Sequence, residues 1–176
     1  MIEFARSRDY DLIRGILTHP RVYDKITDDC SPGRDDYRPV EHDAVWYVIA
    51  RQDGEVLGLW MLVPQNGVCW EIHTALLPRA WGELALEAAR QLTDWIWANT
   101  PCRRIVTNVP STNRLALRFA IKAGMKIYGV NFASYLKRGV LCNQVCLGIS
   151  APAIARERVR AQEEAAEMSS IVMGEV

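Results

Sequence analysis

Apolar positions change period several times along the chain, and each change marks an element. Residues 2–5 alternate and predict a short strand. Asp9 then precedes Leu12, Ile13, Ile16 and Leu17, one helical face behind an N-terminal acid. Pro20 ends that helix, and 22–26 predicts a second short one. Residues 28–43 are dense in Asp, Gly and Pro, hold no period and predict a loop. Strands are expected at 44–50, 56–63 and 68–77, joined by Asp53-Gly54 and Asn66-Gly67, two hairpin signals. After Pro78, an apolar stripe of Leu84, Ala85, Ala88, Ala89, Leu92, Trp95 and Ile96 predicts a helix to about Asn99, closed by Pro101. A short strand follows at 105–109. A further helix is expected with Ser111 or Thr112 as its cap and Ala123-Gly124 as its end. Residues 127–130 and 140–149 read as the last strands. Past Ser150, Pro152 opens a stretch of Ala, Arg and Glu that reads as a solvated helix fraying after Met168.

The order β-α-(α)-βββ-α-β-α-ββ predicts an α/β (α+β) fold. Its mixed, mostly antiparallel sheet is flanked by helices, with a right-handed crossover around 68–109 and an appended C-terminal helix. A single domain over 1–150 and a tail over 151–176 fit a length of 176 residues, enough for a self-sufficient core. The chain is 49% apolar and 24% charged, which excludes wholesale disorder. Lys and Arg number 21 and so do Asp and Glu, which argues against a nucleic-acid binder. The longest apolar run, Leu57–Val63, is broken by Gly58 and falls far short of the ~18–20 residues of a membrane span. No apolar segment stands behind a basic start, so a cytoplasmic protein is expected. Five cysteines without a C-x-x-C pair predict free thiols, and no Cys/His spacing suits a metal.

The chemistry concentrates where the strand ending at Leu77 meets the helix after Gly82. A helix start offers free N–H groups and a positive dipole end, which suit a phosphate. Arg79 adds charge and Gly82 allows close approach. Further on, Asn113, Ala116, Gly124 and Met125 stand between two short strands.

With these features the chain resembles the GNAT superfamily of acyl-CoA-dependent N-acetyltransferases, from about residue 2 to 149. Arg79-Ala80-Trp81-Gly82-Glu83-Leu84 matches the first and fourth positions of the family's Gln/Arg-x-x-Gly-x-Gly/Ala loop. Asn113, Ala116 and Gly124-Met125 match its Asn, Ala and Gly-Phe. The phrasing of the loop looks more like that of phage-encoded members, for which host cytoplasm or a virion is the expected location.

The resemblance implies acetyl-CoA as donor, no metal, and an amine-bearing acceptor. It places the pyrophosphate on residues 79–84, the pantetheine arm along Thr74, Ala75, Leu76 and Leu77, and further coenzyme contacts at Asn113, Ala116 and Phe119. A backbone N–H near Leu76 or Leu77 would hold the oxyanion. Three departures stand out: Leu84 replaces a small residue, Glu83 puts an acid in the loop, and Ala120 occupies the position of the usual general-acid Tyr. Tyr128 and Tyr135 are the remaining candidate acids. Glu71 and His73, on one strand face, are the candidate bases for an amine that must lose a proton to attack. The acids of 28–43 (Asp28, Asp29, Asp35, Asp36, Glu41, Asp43) would form an acidic acceptor wall. Trp46, Trp60 and Trp70 are expected to pack the sheet, whereas Trp95 and Trp97 should face different ways. The alternative is a degenerate GNAT-like domain with an assembly role. In that case the tail's thin stripe (Ile154, Val159, Ala166) would meet another copy or a protein partner.

Overall fold

The computed structural model describes residues 1–154 together with 156, 157, 160, 162, 164, 165 and 168. Seven strands form one sheet in the order β1-β2-β3-β4-β5-β7-β6. They are β1 (Ile2–Ser7), β2 (Trp46–Gln52), β3 (Glu55–Pro64), β4 (Cys69–Leu76), β5 (Arg104–Pro110), β6 (Lys126–Lys137) and β7 (Val140–Ser150). The helices are α1 (Tyr10–Leu17), α2 (Tyr23–Ile26), α3 (Glu83–Asn99) and α4 (Arg114–Lys122). Every pairing is antiparallel except β4 with β5.

Local chemistry explains the boundaries. The Asp9 carboxylate accepts from Leu12 N at 3.0 Å and starts α1. Asp53 and Gly54 both take positive φ, +51° and +81°, as a tight hairpin between right-twisted strands demands. Asn66 Oδ1 accepts from Val68 N and Cys69 N and closes the second turn. α4 differs from expectation: its cap is Asn113, whose Oδ1 accepts from Ala116 N at 3.2 Å, and neither Ser111 nor Thr112.

Two clusters cover opposite faces of the first half of the sheet. Val48, Trp60, Leu62, Trp70, Ile72 and Ile105 pack under α3 through Ala85, Ala88, Leu92 and Ile96. Tyr47, Ile49, Leu59 and Ala75 pack under α1 through Ile13, Ile16 and Leu17. Trp60 and Trp70 are buried and Trp46 stacks edge-on to Trp70 at 5.4 Å, as a packing role requires. Trp95 and Trp97, the neighbours of buried Ile96, are both partly buried against the α3-side cluster, so neither is turned wholly outward. A third, smaller cluster joins α4 to β5 and β7 through Ala120, Val109 and Leu147.

β6 is longer than the pattern of 127–130 predicts. Two register shifts, with Ala133 at φ +47°, break its alternation and hide the second half. The tail residues that are described are helical. Val159 and Ala166, and the fraying expected after Met168, lie outside the described residues.

Candidate active site

β4 and β5 pair over only Cys69–Glu71 and Arg104–Val106. Beyond that point Ile72–Leu76 and Thr107–Pro110 run on without pairing each other. The Leu77 N–H bonds Leu57 O at 2.9 Å, so by alternation along β4 the peptide groups of Ile72, Thr74 and Leu76 point into the gap. Leu77 is therefore tied to β3, and Leu76 and Thr74 offer the free N–H groups. Gly58 faces this region from β3, where an added Cβ would lie 2.7 Å from Leu76 Cα.

The gap opens into a cavity of about 1350 Å³. Residues of both parities on β4 line it, so it passes through the sheet. On one side it reaches Ala85 and Ala89 of α3 with Ala116 and Phe119 of α4. On the other it reaches Glu71, His73, Tyr135 and Gln144, while Arg21 and Lys25 line it beside Trp81, next to the start of α3. This exceeds the ~300–1,000 Å³ of a usual single-ligand pocket and leaves room for two substrates.

On the second side, Glu71 and His73 come together, with Oε1 and Nε2 3.8 Å apart. Asn108 Nδ2 donates to Glu71 Oε1 at 3.1 Å, Gln65 Nε2 donates to Oε2 at 3.3 Å, and Asn131 Nδ2 donates to Asn108 Oδ1 at 3.3 Å. Desolvation lowers the His73 pKa below its ordinary value, and the Glu71 carboxylate opposes that shift. A neutral imidazole beside an oriented carboxylate can accept a proton at neutral pH. The pattern reading missed Gln65, Asn108 and Asn131. The available signal was an amide inside the β-branched run of β5, which must find a polar partner when covered.

The Tyr135 ring lines the cavity, but its hydroxyl donates to Thr27 O at 2.6 Å. Burial and the carboxylates Asp28, Asp24 and Asp29 raise its pKa. Tyr128 lies outside the lining, 55% exposed, with the Arg104 guanidinium 5.3 Å from its ring centre. Ala120, at the position of the missing Tyr, is buried against Val109 and Leu147.

The loop residues divide. Thr74, Ala75, Leu76, Trp81, Gly82 and Glu83 line the cavity, as do Asn113, Ala116 and Phe119. Gly82 caps α3 at φ +93°, a conformation that favours glycine. The Trp81 indole donates to Leu76 O at 2.9 Å. Ala80 is fully buried in the core. Leu84 packs on that same core and leaves the cavity unobstructed, contrary to what its size suggests. Arg79 is absent from the lining and forms an ion pair with Glu55 at the start of β3.

The acidic wall expected from 28–43 does not form. None of those residues lines the cavity, and several are engaged elsewhere. Asp29 accepts from Arg138 N and Gly139 N, Asp28 from Cys30 N and Ser31 Oγ, and Asp43 pairs with Arg8. Of the segment just before that loop, Arg21, Asp24 and Lys25 line the cavity, the two cations lying over the Trp81 ring. Asp24 is itself paired with Lys137 and Arg138, and the Lys137 hydrogen bond leads in lowering its pKa.

Residues 6–126 match the sequence profile of a family described as an acetyltransferase (GNAT) domain. The chain belongs to the GNAT acetyltransferase family. Among solved structures, this GNAT domain is similar to spermidine N-acetyltransferase from Vibrio cholerae in complex with CoA and spermine. That match has a TM-score of 0.70 and 14% identity, covering 85% of this chain and 95% of that one. It is also similar to an acetyltransferase of the GNAT family from Streptococcus pneumoniae, with a TM-score of 0.65, 16% identity and coverage of 86% and 100%. A third is the IAA acetyltransferase from Bacillus cereus, with a TM-score of 0.59, 14% identity and coverage of 86% and 100%. At these identities the likeness is one of fold. A comparison with curated proteins gave no significant match. Among the described residues, no helix of the GNAT domain is long and apolar enough to cross a membrane.

Proposed function

We propose that the chain transfers an acetyl group from acetyl-CoA directly to an amine, across the gap between β4 and β5. The observation that carries this reading is the cavity through the sheet. The α3–α4 side takes the donor, and Glu71 and His73 stand on the opposite side. The pantetheine arm runs along this edge of β4 and pairs with the Thr74 peptide group, while the Leu76 carbonyl is held by Trp81 and its N–H is left free. The Leu76 N–H faces the thioester oxygen, where charge develops.

The amine enters from the His73 side. A free alkylamine titrates near ~10.4 and is mostly protonated at neutral pH, so loss of a proton is part of the work. The ammonium first gives one proton to water in the cavity, and His73 takes the second from nitrogen as the neutral amine attacks and the C–N bond forms. Glu71, fixed by Asn108 and Gln65, stabilises the imidazolium. The C–S bond then breaks. A thiol pKa near ~8.5 makes the thiolate a tolerable leaving group, and water in the open cavity protonates it. Neither tyrosine receives the acid role: the Tyr135 proton is engaged with Thr27 O and Tyr128 stands at Arg104. No observation among the described residues favours the assembly alternative.

Two measurements test the reading. Acetyl-CoA at ~100 times its Kd should stabilise the fold by about 2.7 kcal/mol, a rise of roughly 5–10 °C in Tm. No shift at millimolar ligand sinks the proposal. With a panel of amines and detection of free thiol, His73→Gln should lower kcat by about 10²–10⁴ while leaving the acetyl-CoA response intact. An undiminished rate would remove His73 from the mechanism.

A further inference from the structure

The family position for a phosphate-binding cation is Arg79, and here it is turned away. Its guanidinium is paired with Glu55 and takes no part in the cavity wall. At the same place Glu83 adds a carboxylate to the lining, directly after Gly82. A dianionic group approaching the α3 terminus would therefore meet an acid without the loop's own base to offset it.

A different element brings positive charge to this spot. The Arg21 guanidinium carbon lies 4.8 Å, and the Lys25 Nζ 4.1 Å, from the centre of the Trp81 ring. Both side chains line the cavity, and neither has a carboxylate partner among the described residues. The one acid beside them in sequence, Asp24, is paired with Lys137 and Arg138. Trp81 is fixed by its indole N–H on Leu76 O, and it adjoins Gly82, the cap of α3. A guanidinium stacked on an aromatic face keeps its in-plane N–H donors free, and an ammonium over a ring keeps those pointing outward. The ring therefore holds two cations beside the start of α3 without neutralising them.

We propose that Arg21 and Lys25, held on Trp81, supply the charge that receives the donor's pyrophosphate, replacing Arg79. This assignment rests on the acetyl-CoA reading above. It moves the charge that receives the phosphates from the β4–α3 loop to Arg21, just before α2, and Lys25 within it.

The test compares wild type, R21Q/K25Q and R79Q with two ligands, acetyl-CoA and S-acetylpantetheine, which keeps the thioester arm and lacks all phosphates. Binding is followed by calorimetry and by ligand-induced shift in Tm. R21Q/K25Q should weaken acetyl-CoA binding by at least about tenfold and leave S-acetylpantetheine unchanged. The difference from wild type should shrink as salt rises. R79Q should stay within about threefold of wild type. The single variants R21Q and K25Q should each show part of the loss. The proposal is overturned if R79Q loses more than R21Q/K25Q, or if both ligands weaken equally in R21Q/K25Q. It is overturned alone if wild type binds acetyl-CoA and R21Q/K25Q binds it as well. If wild type binds no acetyl-CoA, the acetyltransfer reading itself fails and this assignment falls with it.

Discussion

The two halves of the sheet are built to different standards. Strands β1–β4 are sandwiched, with the Trp60 cluster under α3 on one face and the Tyr47 cluster under α1 on the other. The half made of β5, β7 and β6 has the small Ala120 cluster on one face. Its edge strand β6 exposes Ile127, Tyr128, Val130 and Phe132. The first half fixes β4, which holds the backbone groups and the Glu71–His73 pair. The second half supplies the far wall through Tyr135 and Gln144. The proposed base is thus anchored on the well-packed half, and the proposed acceptor wall stands on the half with less to hold it.

The sharpest contrast comes from deleting one large aromatic in each half. Trp60 is 1% exposed and Phe132 is 79% exposed. Trp60→Ala should cost about 3–5 kcal/mol in urea unfolding. Phe132→Ala should stay within about 0.5 kcal/mol. Comparable losses would mean that β6 is covered in solution and that the two halves are not as unequal as they look.

Gly58 probes the seam between the anchored strand and the gap. Its φ of +145° and the close approach of Ala75 O and Leu76 Cα leave no room for a methyl group. Gly58→Ala should cost about 1–3 kcal/mol. It should also displace Leu76 and weaken acetyl-CoA binding, whereas Gly54→Ala, in open space, should leave binding alone. Equal binding in both variants would show that β4 tolerates movement.

Tyr135 tests the weaker half. Its hydroxyl and Lys137 Nζ both reach Thr27 O, at 2.6 Å and 2.8 Å, and tie the β6–β7 hairpin to the segment after α2. Tyr135→Phe should cost about 0.5–1.5 kcal/mol. Amide exchange should quicken at residues 136–139 while β1–β4 stay protected. A uniform loss of protection would mean that the hairpin belongs to the same cooperative unit as the core.

What the sequence made legible follows this same division. The order of elements was readable because Asp53-Gly54, Asn66-Gly67 and Pro101 punctuate it locally, and because α3 and β2–β4 keep regular apolar periods. Glu71 and His73 were readable as a pair by strand parity alone. The second half of β6 was not, because its bulges at 127–129 and 131–135 break the alternation on which the reading depends. The support for Glu71 was hidden because Asn108 and Asn131 reach it across separate strands. The ion pair of Arg79 was hidden for a similar reason: its partner Glu55 lies across the β3–β4 hairpin, and a loop motif carries no information about such a contact. The acidic loop was misread because composition counts Asp29 and Asp43 as free, whereas folding gives them Arg138 N, Gly139 N and Arg8.

The smallest effect lies in the titration of His73, and it joins stability to rate on the anchored side. Desolvation holds its folded pKa below the ordinary value of about 6.5. Above that value the ring is neutral in both folded and unfolded chains, so its contribution to stability is complete. As pH falls below it, the unfolded chain takes up the proton first and the folded state loses ground, until the folded pKa is passed. One proton limits the slope to about 1.4 kcal/mol per pH unit. The side chain is 47% exposed, so screening keeps the real slope well below that limit. Relative to His73→Gln, wild type should therefore lose a little stability below about pH 6.5 and none above it. The base is lost only when the folded imidazole is protonated, so kcat should fall at lower pH than the onset of the stability loss, where that loss levels off. A stability difference that instead grew as pH fell would mean that Glu71 outweighs burial and holds the imidazolium. His73 would then be an ion-pair partner in place of the base.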